Sequence, residues 1–364
     1  MTPRTVAAAV REHLDREGEI GGYEAADEAS ARIEHTYDAV AALIGCDRRE
    51  VALVENATRA WDMAFYALKF APGDRILTGR AEYASNFIAF LQVAGRSGAR
   101  VEVVPDDAHG QISVDDLRQM VDERTKLIAL THAPTNGGLI NPAGEVGAIA
   151  RSAGVPFLLD ACQSAGQIPL DVDELGCDML SATGRKFLRG PRGTGFLYVR
   201  RGWIEKLDPP FLDLHAATWT GPDTYEVRKD ARRFENWESF VAGRIGLGVA
   251  LDYALGWGLN AIRARIKALA DELRLSLQNL QGVVVRDKGS VKSGIVTFTV
   301  DGKRAEDVQR ALRADAINCS VSPAEYAQLD MRDRGLTALV RASLHYYNSE
   351  EEISRFCEAL ALLP

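Results

Sequence analysis

The sequence predicts an α/β fold with a mostly parallel sheet that is covered by helices on both faces. Three observations lead to this prediction. Short apolar runs rich in β-branched residues recur between about residues 50 and 200, and stretches of helical spacing separate most of them. Beyond residue 240 a long helical pattern leads into a second, smaller set of strands and helices. Strands that alternate with crossover helices form a parallel sheet, and ligands bind at the carboxyl ends of its strands.

The elements follow in order along the chain. The apolar runs predict strands at residues 50–54, 75–77, 101–104, 126–131, 156–160, 178–180 and 195–199. The patterns between them predict helices at residues 58–70, 85–94, 113–121 and 142–152. After a loop-like stretch at 207–237 and a helical pattern over 241–280, we expect strands at 283–286, 295–300, 317–321 and 339–346 and helices at 305–312 and 350–362. This division predicts a large domain at residues 15–250 and a small domain at residues 251–364, which residues 1–14 complete.

Composition narrows the class of partner. The 364 residues are 46% hydrophobic and include 43 basic and 51 acidic side chains, which gives a net charge of −8. Nucleic acids and membrane surfaces are polyanions that attract an excess of Lys and Arg, so this acidic balance argues against both. We therefore expect a small-molecule substrate.

The five cysteines lie far apart, at Cys46, Cys162, Cys177, Cys319 and Cys357. Their spacing matches neither zinc nor redox motifs, so we expect no metal site and free thiols in a reducing compartment. The first 22 residues lack the apolar core of a signal peptide, and no later run is long and apolar enough to span a membrane. These observations predict a cytoplasmic protein.

Lys186 and Asp160 carry the predicted chemistry. Lys186 follows a strand end and precedes a glycine-rich return into the next strand, and Asp160 ends an apolar strand about 25 residues earlier. Taken separately, Lys186 would be a solvated surface residue and Asp160 a helix cap. An acid at a strand end upstream of such a lysine has a use in pyridoxal phosphate enzymes. There the lysine binds the cofactor covalently, and the acid keeps the pyridine nitrogen protonated.

A family resemblance supports this pairing. The residues Thr-Gly-Arg-Lys at 183–186 and Gly-Pro-Arg-Gly-Thr-Gly at 190–195 are similar to the Ser-Gly-His-Lys and Gly-Pro-x-Gly-x-Gly motifs of class V aminotransferase-like enzymes. That group includes cysteine desulfurases, selenocysteine lyases and isopenicillin N epimerase-like proteins, and the resemblance covers nearly the whole chain. It implies fold type I of the pyridoxal phosphate enzymes, with active sites at the interface of a homodimer.

Other segments match the family in the same order. Residues 55–58 stand where its phosphate loop opens a helix, residues 82–86 resemble its Glu-His-His-Ala-Asn stretch, and residues 131–138 resemble its Ser-His-Val-Ser-Asn-x-x-Gly stretch. The resemblance thereby assigns the cofactor site to Ala57, Thr58, Tyr83, Thr135, Asn136, Asp160, Gln163, Thr183, Arg185 and Lys186, with Tyr83, Asp160 and Lys186 also catalytic. Simpler alternatives are that Thr58 caps a helix, that Tyr83 belongs to the core, and that Thr135 and Asn136 only shape a turn.

The resemblance also implies a substrate site. Residues 341–352 resemble the family's Arg-Ala-Ser-x-x-x-Tyr-Asn-Thr-x-Glu-Glu, so Arg341 would clamp the α-carboxylate of an amino-acid substrate as a bidentate pair. His345 falls on the same face of the predicted strand, which makes it a second candidate substrate ligand. The alternative for His345 is a buried histidine of the core.

The expected reaction depends on the sulfur chemistry. Cys319 lies too early, and within a predicted strand, for the loop cysteine on which desulfurases carry a persulfide. We therefore predict a pyridoxal phosphate lyase that cleaves a carbon-sulfur bond of a cysteine-derived substrate by β-elimination without a persulfide cysteine. Within the family, residues 134–138 and 320–325 resemble the hercynylcysteine sulfoxide lyase of ergothioneine biosynthesis. An aminotransferase, epimerase or decarboxylase of the same family is the alternative, and a catalytically silent scaffold is disfavoured by the intact Lys186, Asp160 and Arg341.

Overall fold

The computed structural model describes residues 1–363. Its largest sheet has seven strands in the order β1-β7-β6-β5-β4-β2-β3. In chain order they are β1 (Val51–Val54), β2 (Arg75–Gly79), β3 (Arg100–Val104), β4 (Thr125–Thr131), β5 (Phe157–Asp160), β6 (Met179–Thr183) and β7 (Gly195–Val199). All pairings from β3 to β6 are parallel, whereas β7 runs antiparallel to both β6 and β1. The predicted α/β fold with a mostly parallel sheet is confirmed.

Helices cover both faces of this sheet. They are α1 (Arg4–Ile20), α2 (Gly22–Glu28), α3 (Ser30–Ile44), α4 (Ala57–Phe65), α5 (Ala84–Ser97), α6 (Val114–Met120), α7 (Ala143–Ala153), α8 (Val172–Leu175) and α9 (Arg201–Ile204). Along β5 the side chains alternate between the faces. Phe157 and Leu159 enter a buried cluster with α3 and α7, and Leu158 enters another with α4 and α5. Because both faces are buried, the strands read as continuous apolar runs.

The stretch at 207–237, which the sequence analysis treats as a loop, contains a two-stranded antiparallel hairpin. Its strands are β8 (Ala217–Gly221) and β9 (Thr224–Val227). Trp219 and Tyr225 on this hairpin are 72% and 62% exposed. Neither face of the hairpin is buried within one chain, so no apolar alternation marks it in the sequence.

The helical pattern over 241–280 is two helices rather than one. They are α10 (Val241–Trp257) and α11 (Leu259–Gln278), which meet at Gly258 with a bend of 79°. Gly258 has a φ of 81°, a left-handed conformation that glycine adopts without strain. α10 packs on α1 and α3, and α11 packs on the second sheet. The expected domain boundary after residue 250 thus falls inside α10, and these domain limits stay a prediction.

The second sheet forms a smaller lobe. Its antiparallel order is β10-β11-β13-β12, and the strands are β10 (Val283–Val285), β11 (Ile295–Val300), β12 (Ser320–Pro323) and β13 (Ala338–Ser343). The helices that accompany it are α12 (Ala305–Ala314), α13 (Gln328–Asp333) and α14 (Glu350–Ala361). The strand predicted at 317–321 begins only at Ser320, because Ala316 takes a φ of 59° and extends the turn after α12. Cys319 therefore precedes the strand.

The helix lengths also bear on membranes. Within residues 1–363, no single helix is both long and apolar enough to cross a bilayer, and α10 and α11 reach that length and composition only as a bent pair.

Candidate active site

The loops at one edge of the large sheet meet in a cleft. β4, β5 and β6 all end at this edge, at Thr131, Asp160 and Thr183. The antiparallel pairings bring the end of β1 to the same place, because Val54 pairs with Gly195 and Gly195 pairs with Thr183. A Cβ atom at Gly195 would lie 2.6 Å from a backbone oxygen of β6, so this close approach requires glycine.

The cleft has a volume of about 490 Å³, and most residues singled out in the sequence analysis line it. These are Ala57, Thr58, Tyr83, Thr135, Asp160, Gln163, Thr183, Arg185 and Lys186. The remaining residues of the wall are Glu55, Asn56, Asn86, Thr131, Ala133, Cys162, Arg192 and Gly193. Asn136, Arg341 and His345 stand outside this lining.

Lys186 lies half-buried in the turn between β6 and β7. Its carbonyl oxygen accepts a hydrogen bond from the amide of Arg189 at 3.0 Å, which fixes the backbone of the turn. Burial lowers the pKa of the Lys186 amine, the charge of Cys162 opposes this shift, and the guanidinium of Arg341 adds to it. A larger fraction of the amine is therefore neutral than in a solvated lysine, and the neutral amine is the form that attacks a carbonyl or accepts a proton.

Asp160 is only 5% exposed and is held by two donors. Its Oδ2 accepts from Nδ2 of Asn86 at 2.9 Å, and its Oδ1 accepts from the backbone amide of Cys162 at 2.8 Å. The same Asn86 amide donates to Glu82 at 2.8 Å, so it bridges two buried carboxyl groups. Burial raises the pKa of both acids. A cationic ring nitrogen beside Asp160 would favour its ionised form.

The amino end of α4 forms a corner suited to an anion. Asn56 caps this helix, since its Oδ1 accepts the amide three residues later at 2.9 Å. The amides of Ala57 and Thr58 are then left without intrahelical acceptors, and Thr58 is not the cap. The exposed side chains of Arg185 and Arg192 line the same cleft. Free helix amides and guanidinium groups together are a usual setting for a phosphate.

The structure separates the two alternatives at positions 135 and 136. Thr135 lines the cleft, and its Oγ1 accepts from Nε2 of Gln163 at 3.4 Å. Asn136 is 1% exposed and donates from Nδ2 to the carbonyl oxygen of Pro323 at 3.1 Å, so it fastens the loop to the small lobe. Tyr83 is half-buried on the cleft wall at the start of α5, which sets it apart from the core tyrosine Tyr37.

The two expected substrate ligands lie in different surroundings. Arg341 stands on β13 directly behind the cleft wall, where its Nη1 donates to Oγ1 of Thr135 at 2.5 Å. His345 follows the same strand, but its ring is stacked between Phe187 and Tyr347, with centroids 4.6 Å and 5.1 Å away. Burial lowers the pKa of His345 to about 3. The packing of His345 is that of a core histidine, and its role as a substrate ligand stays a prediction without support from this geometry.

Cys162 is the one cysteine of the five that lines the cleft. Lys186 lines the same cleft. Burial raises the pKa of Cys162 to about 11, and the charge of Lys186 opposes this shift. Cys319 packs instead against the core of the small lobe, as Cys357 does. In the sequence Cys162 stands two residues after Asp160, just beyond the end of β5.

Comparison with known proteins identifies the family. The family described as Aminotransferase class-V matches residues 1–356. The chain belongs to the class-V aminotransferase family. This membership confirms the predicted fold type and the predicted cofactor, pyridoxal phosphate.

The class-V relatives named here are desulfurases. The chain is 30% identical over 345 residues to a probable cysteine desulfurase of Methanothermobacter thermautotrophicus, covering 93% of this chain and 86% of the relative. It is 31% identical over 350 residues to a probable cysteine desulfurase of Halalkalibacterium halodurans, covering 93% and 81%. The apo structure of the cysteine desulfurase from Thermococcus onnurineus NA1 superposes with a TM-score of 0.92 at 28% identity, covering 99% of this chain and 91% of that chain.

These relatives correct the predicted reaction. The prediction of a carbon-sulfur lyase without a persulfide cysteine is wrong, because the relatives and the structure named above are cysteine desulfurases, which form a persulfide cysteine. They do not show the narrower resemblance to hercynylcysteine sulfoxide lyases. The prediction rested on the position of Cys319, which lies too early in the sequence for the family's loop cysteine.

The residues of the cleft fit the cofactor of the class-V family. Pyridoxal phosphate presents an aldehyde, a basic ring nitrogen and a phosphate. The cleft offers the amine of Lys186, the buried carboxyl of Asp160 and the anion-binding corner at the start of α4. Each chemical group of the cofactor therefore has a matching group on this wall.

Proposed function

We propose that this protein breaks the carbon-sulfur bond of cysteine and takes the sulfur onto its own thiol, as a pyridoxal phosphate-dependent desulfurase. The observation that carries the proposal is the thiol of Cys162 in the cleft that also holds Lys186 and Asp160. The relatives named as cysteine desulfurases support the substrate class.

Each side chain has a role that follows from its surroundings. When bound, pyridoxal phosphate takes up the electrons of a bond that breaks next to the amino-bearing carbon. Lys186, with its lowered pKa, is the base that removes the α-proton of the substrate and the acid that returns it. Asp160 holds the proton on the ring nitrogen, and Arg341 binds the α-carboxylate.

The sulfur transfer balances without an added oxidant. The thiol of Cys162 gives its proton to a neighbouring base, and its sulfur attacks the substrate sulfur. A sulfur-sulfur bond forms and the bond between the substrate sulfur and Cβ breaks. The β-carbon of the substrate keeps the electron pair of the broken bond and takes up a proton. The substrate then leaves as alanine. The attacking species must be the thiolate, and because burial raises the pKa of Cys162 to about 11, the thiol must lose its proton to a base in the cleft before it attacks.

The test uses cofactor-loaded protein with L-cysteine. We expect equimolar alanine and transferred sulfur, and mass spectrometry should find one extra sulfur atom on the peptide that contains Cys162. Cys162→Ser should lose both products but keep the visible absorption of the bound cofactor. Cys319→Ser is the matched control, because Cys319 is also half-buried but packs in the small lobe, and it should keep both.

Three results would overturn the proposal. One is alanine formation by Cys162→Ser at the rate of the unaltered protein. Another is a persulfide recovered on Cys319 instead of Cys162. The third is formation of pyruvate and free sulfide from cysteine instead of alanine.

We propose further that the protein works as a homodimer. Large apolar side chains are exposed on the segment 211–240 beside the cleft, namely Phe211, Leu214, Trp219, Tyr225, Trp237 and Phe240. Exposed apolar patches of this kind mark interfaces, and a second copy of this chain is the occupant that the family resemblance implies. Sedimentation equilibrium should give twice the mass of one chain, and a single-chain mass at micromolar concentration would contradict the proposal.

The five free cysteines support the expected reducing, cytoplasmic setting.

A further inference from the structure

Arg341 presents a guanidinium group with one side engaged and the other side without a partner. Its Nη1 donates to Oγ1 of Thr135 at 2.5 Å. Its Nε is buried and has no hydrogen-bond partner among residues 1–363. Burial lowers the pKa of Arg341, the charge of Arg185 adds to this shift, and the phenol groups of Tyr326 and Tyr83 oppose it. A buried donor without an acceptor is costly, so a ligand carboxylate would satisfy a group that the folded chain leaves unsatisfied.

The shape of the guanidinium decides which ligand fits. Its five N–H groups form two forks, one with Nη1 and Nη2 and the other with Nε and Nη2. The bond to Thr135 occupies Nη1 and leaves the Nε–Nη2 fork complete. That fork matches the two oxygens of a carboxylate.

Thr135 is itself held on a rigid loop. It is 7% exposed, and Gln163 donates to the same Oγ1 that accepts from Arg341. The side chain of the next residue, Asn136, donates a hydrogen bond to the carbonyl oxygen of Pro323. The carbonyl oxygen of Asn136 accepts a hydrogen bond from Nη1 of Arg334 at 3.3 Å. Both of these partners belong to the small lobe, so the loop that carries Thr135 is fastened to the lobe that carries Arg341.

We propose that Thr135 is a positioning residue, whose hydroxyl holds Arg341 so that its Nε–Nη2 fork stays free for the α-carboxylate of the substrate. This inference rests on the proposed function for the role of Arg341. It changes the role expected for Thr135, because the hydroxyl acts through Arg341 and not as a contact to the cofactor. The hydroxyl is essential for this role, and its methyl group is not.

The experiment compares Thr135→Val, which keeps the shape and removes the acceptor, with Thr135→Ser, which keeps the acceptor. Binding of L-alanine and of ethylamine to the cofactor-loaded protein is followed by the change in visible absorption. Thr135→Val should weaken L-alanine binding about 10-fold, the effect of one lost charge-assisted hydrogen bond. It should leave ethylamine binding unchanged, because ethylamine has no carboxylate. Thr135→Ser should restore the affinity for L-alanine.

A double-mutant cycle then tests whether Thr135 acts through Arg341. In an Arg341→Ala background, Thr135→Val should have no further effect on L-alanine binding. Three results would overturn the inference: equal losses for alanine and ethylamine, a Thr135→Ser variant as weak as Thr135→Val, or full additivity in the cycle. The readout needs no turnover, so failure of the desulfurase proposal would appear separately as an absence of alanine formation from cysteine.

Discussion

Replacing His345 with phenylalanine should make the fold less sensitive to acid without weakening substrate binding. The ring of His345 is stacked between Phe187 and Tyr347, and its Nδ1 is buried without a partner among residues 1–363. Burial lowers its pKa from an ordinary 6.5 to about 3, and the nearby amino terminus and Arg189 add to this shift. Phenylalanine keeps the stacked ring and removes the titrating group.

The sign and size of the effect follow from proton linkage. Below pH 6.5 His345 is protonated in the unfolded chain, whereas in the folded chain it is protonated only near pH 3 and below. Stability therefore falls as the pH drops from 6.5 towards 3, and the part due to His345 is fully present above 6.5. At pH 5 this loss is about 2 kcal/mol, and it depends little on the folded value because that value lies well below 5.

The assay is urea unfolding of the cofactor-loaded protein at pH 7.5 and pH 5. His345→Phe should lose about 2 kcal/mol less than the unaltered protein between these two pH values. The exposed His109, replaced by glutamine, is the matched control and should leave the pH dependence unchanged. An unchanged pH dependence in His345→Phe would refute the burial argument. A large rise in KM with no change in acid stability would instead restore His345 as a substrate ligand.

Two further predictions concern the cofactor. Lys186→Ala should lose the visible absorption of covalently bound cofactor and all turnover while its circular dichroism stays unchanged, and a cofactor link that still survives borohydride reduction and digestion in this variant would contradict the assignment of Lys186. Asp160→Asn should still bind the cofactor but lose at least 100-fold in kcat, about 2.7 kcal/mol, because a neutral amide cannot stabilise a charged ring nitrogen. Full activity of Asp160→Asn would remove this carboxyl from the mechanism.

The sequence predicts the large sheet well because its strands are buried on both faces. β5 and β7 differ from the predicted ranges by at most one residue. A short, continuous apolar run between two turns is typical of a strand that is buried on both faces, so its ends are easy to place. The hairpin of β8 and β9 could not be predicted in this way, because its side chains are exposed in a single chain. The break at Gly258 was hidden because residues on both sides of it favour a helix, although α10 is apolar on nearly all sides and α11 is amphipathic.

For the site, local motifs placed Lys186, Asp160 and Thr58 on one wall, since each follows or opens a regular element at the same sheet edge. The two expectations that this geometry does not support depended on side-chain direction. Asn136 and His345 are neighbours of cleft residues in sequence, yet each is turned into a packed interior by contacts with distant residues. Cys162 was overlooked because a solitary cysteine carries no spacing pattern.

The division of labour between the lobes has a consequence for redesign. Every residue on the cleft wall, from Glu55 to Gly193, comes from the large lobe, and Arg341 reaches the site from the small lobe through a single contact at Thr135. The proposed cofactor site and the proposed carboxylate ligand thus lie on different lobes, and the hydroxyl of Thr135 connects them by a hydrogen bond. A library confined to the small lobe could therefore search for acceptance of new acids while every member still loads its cofactor.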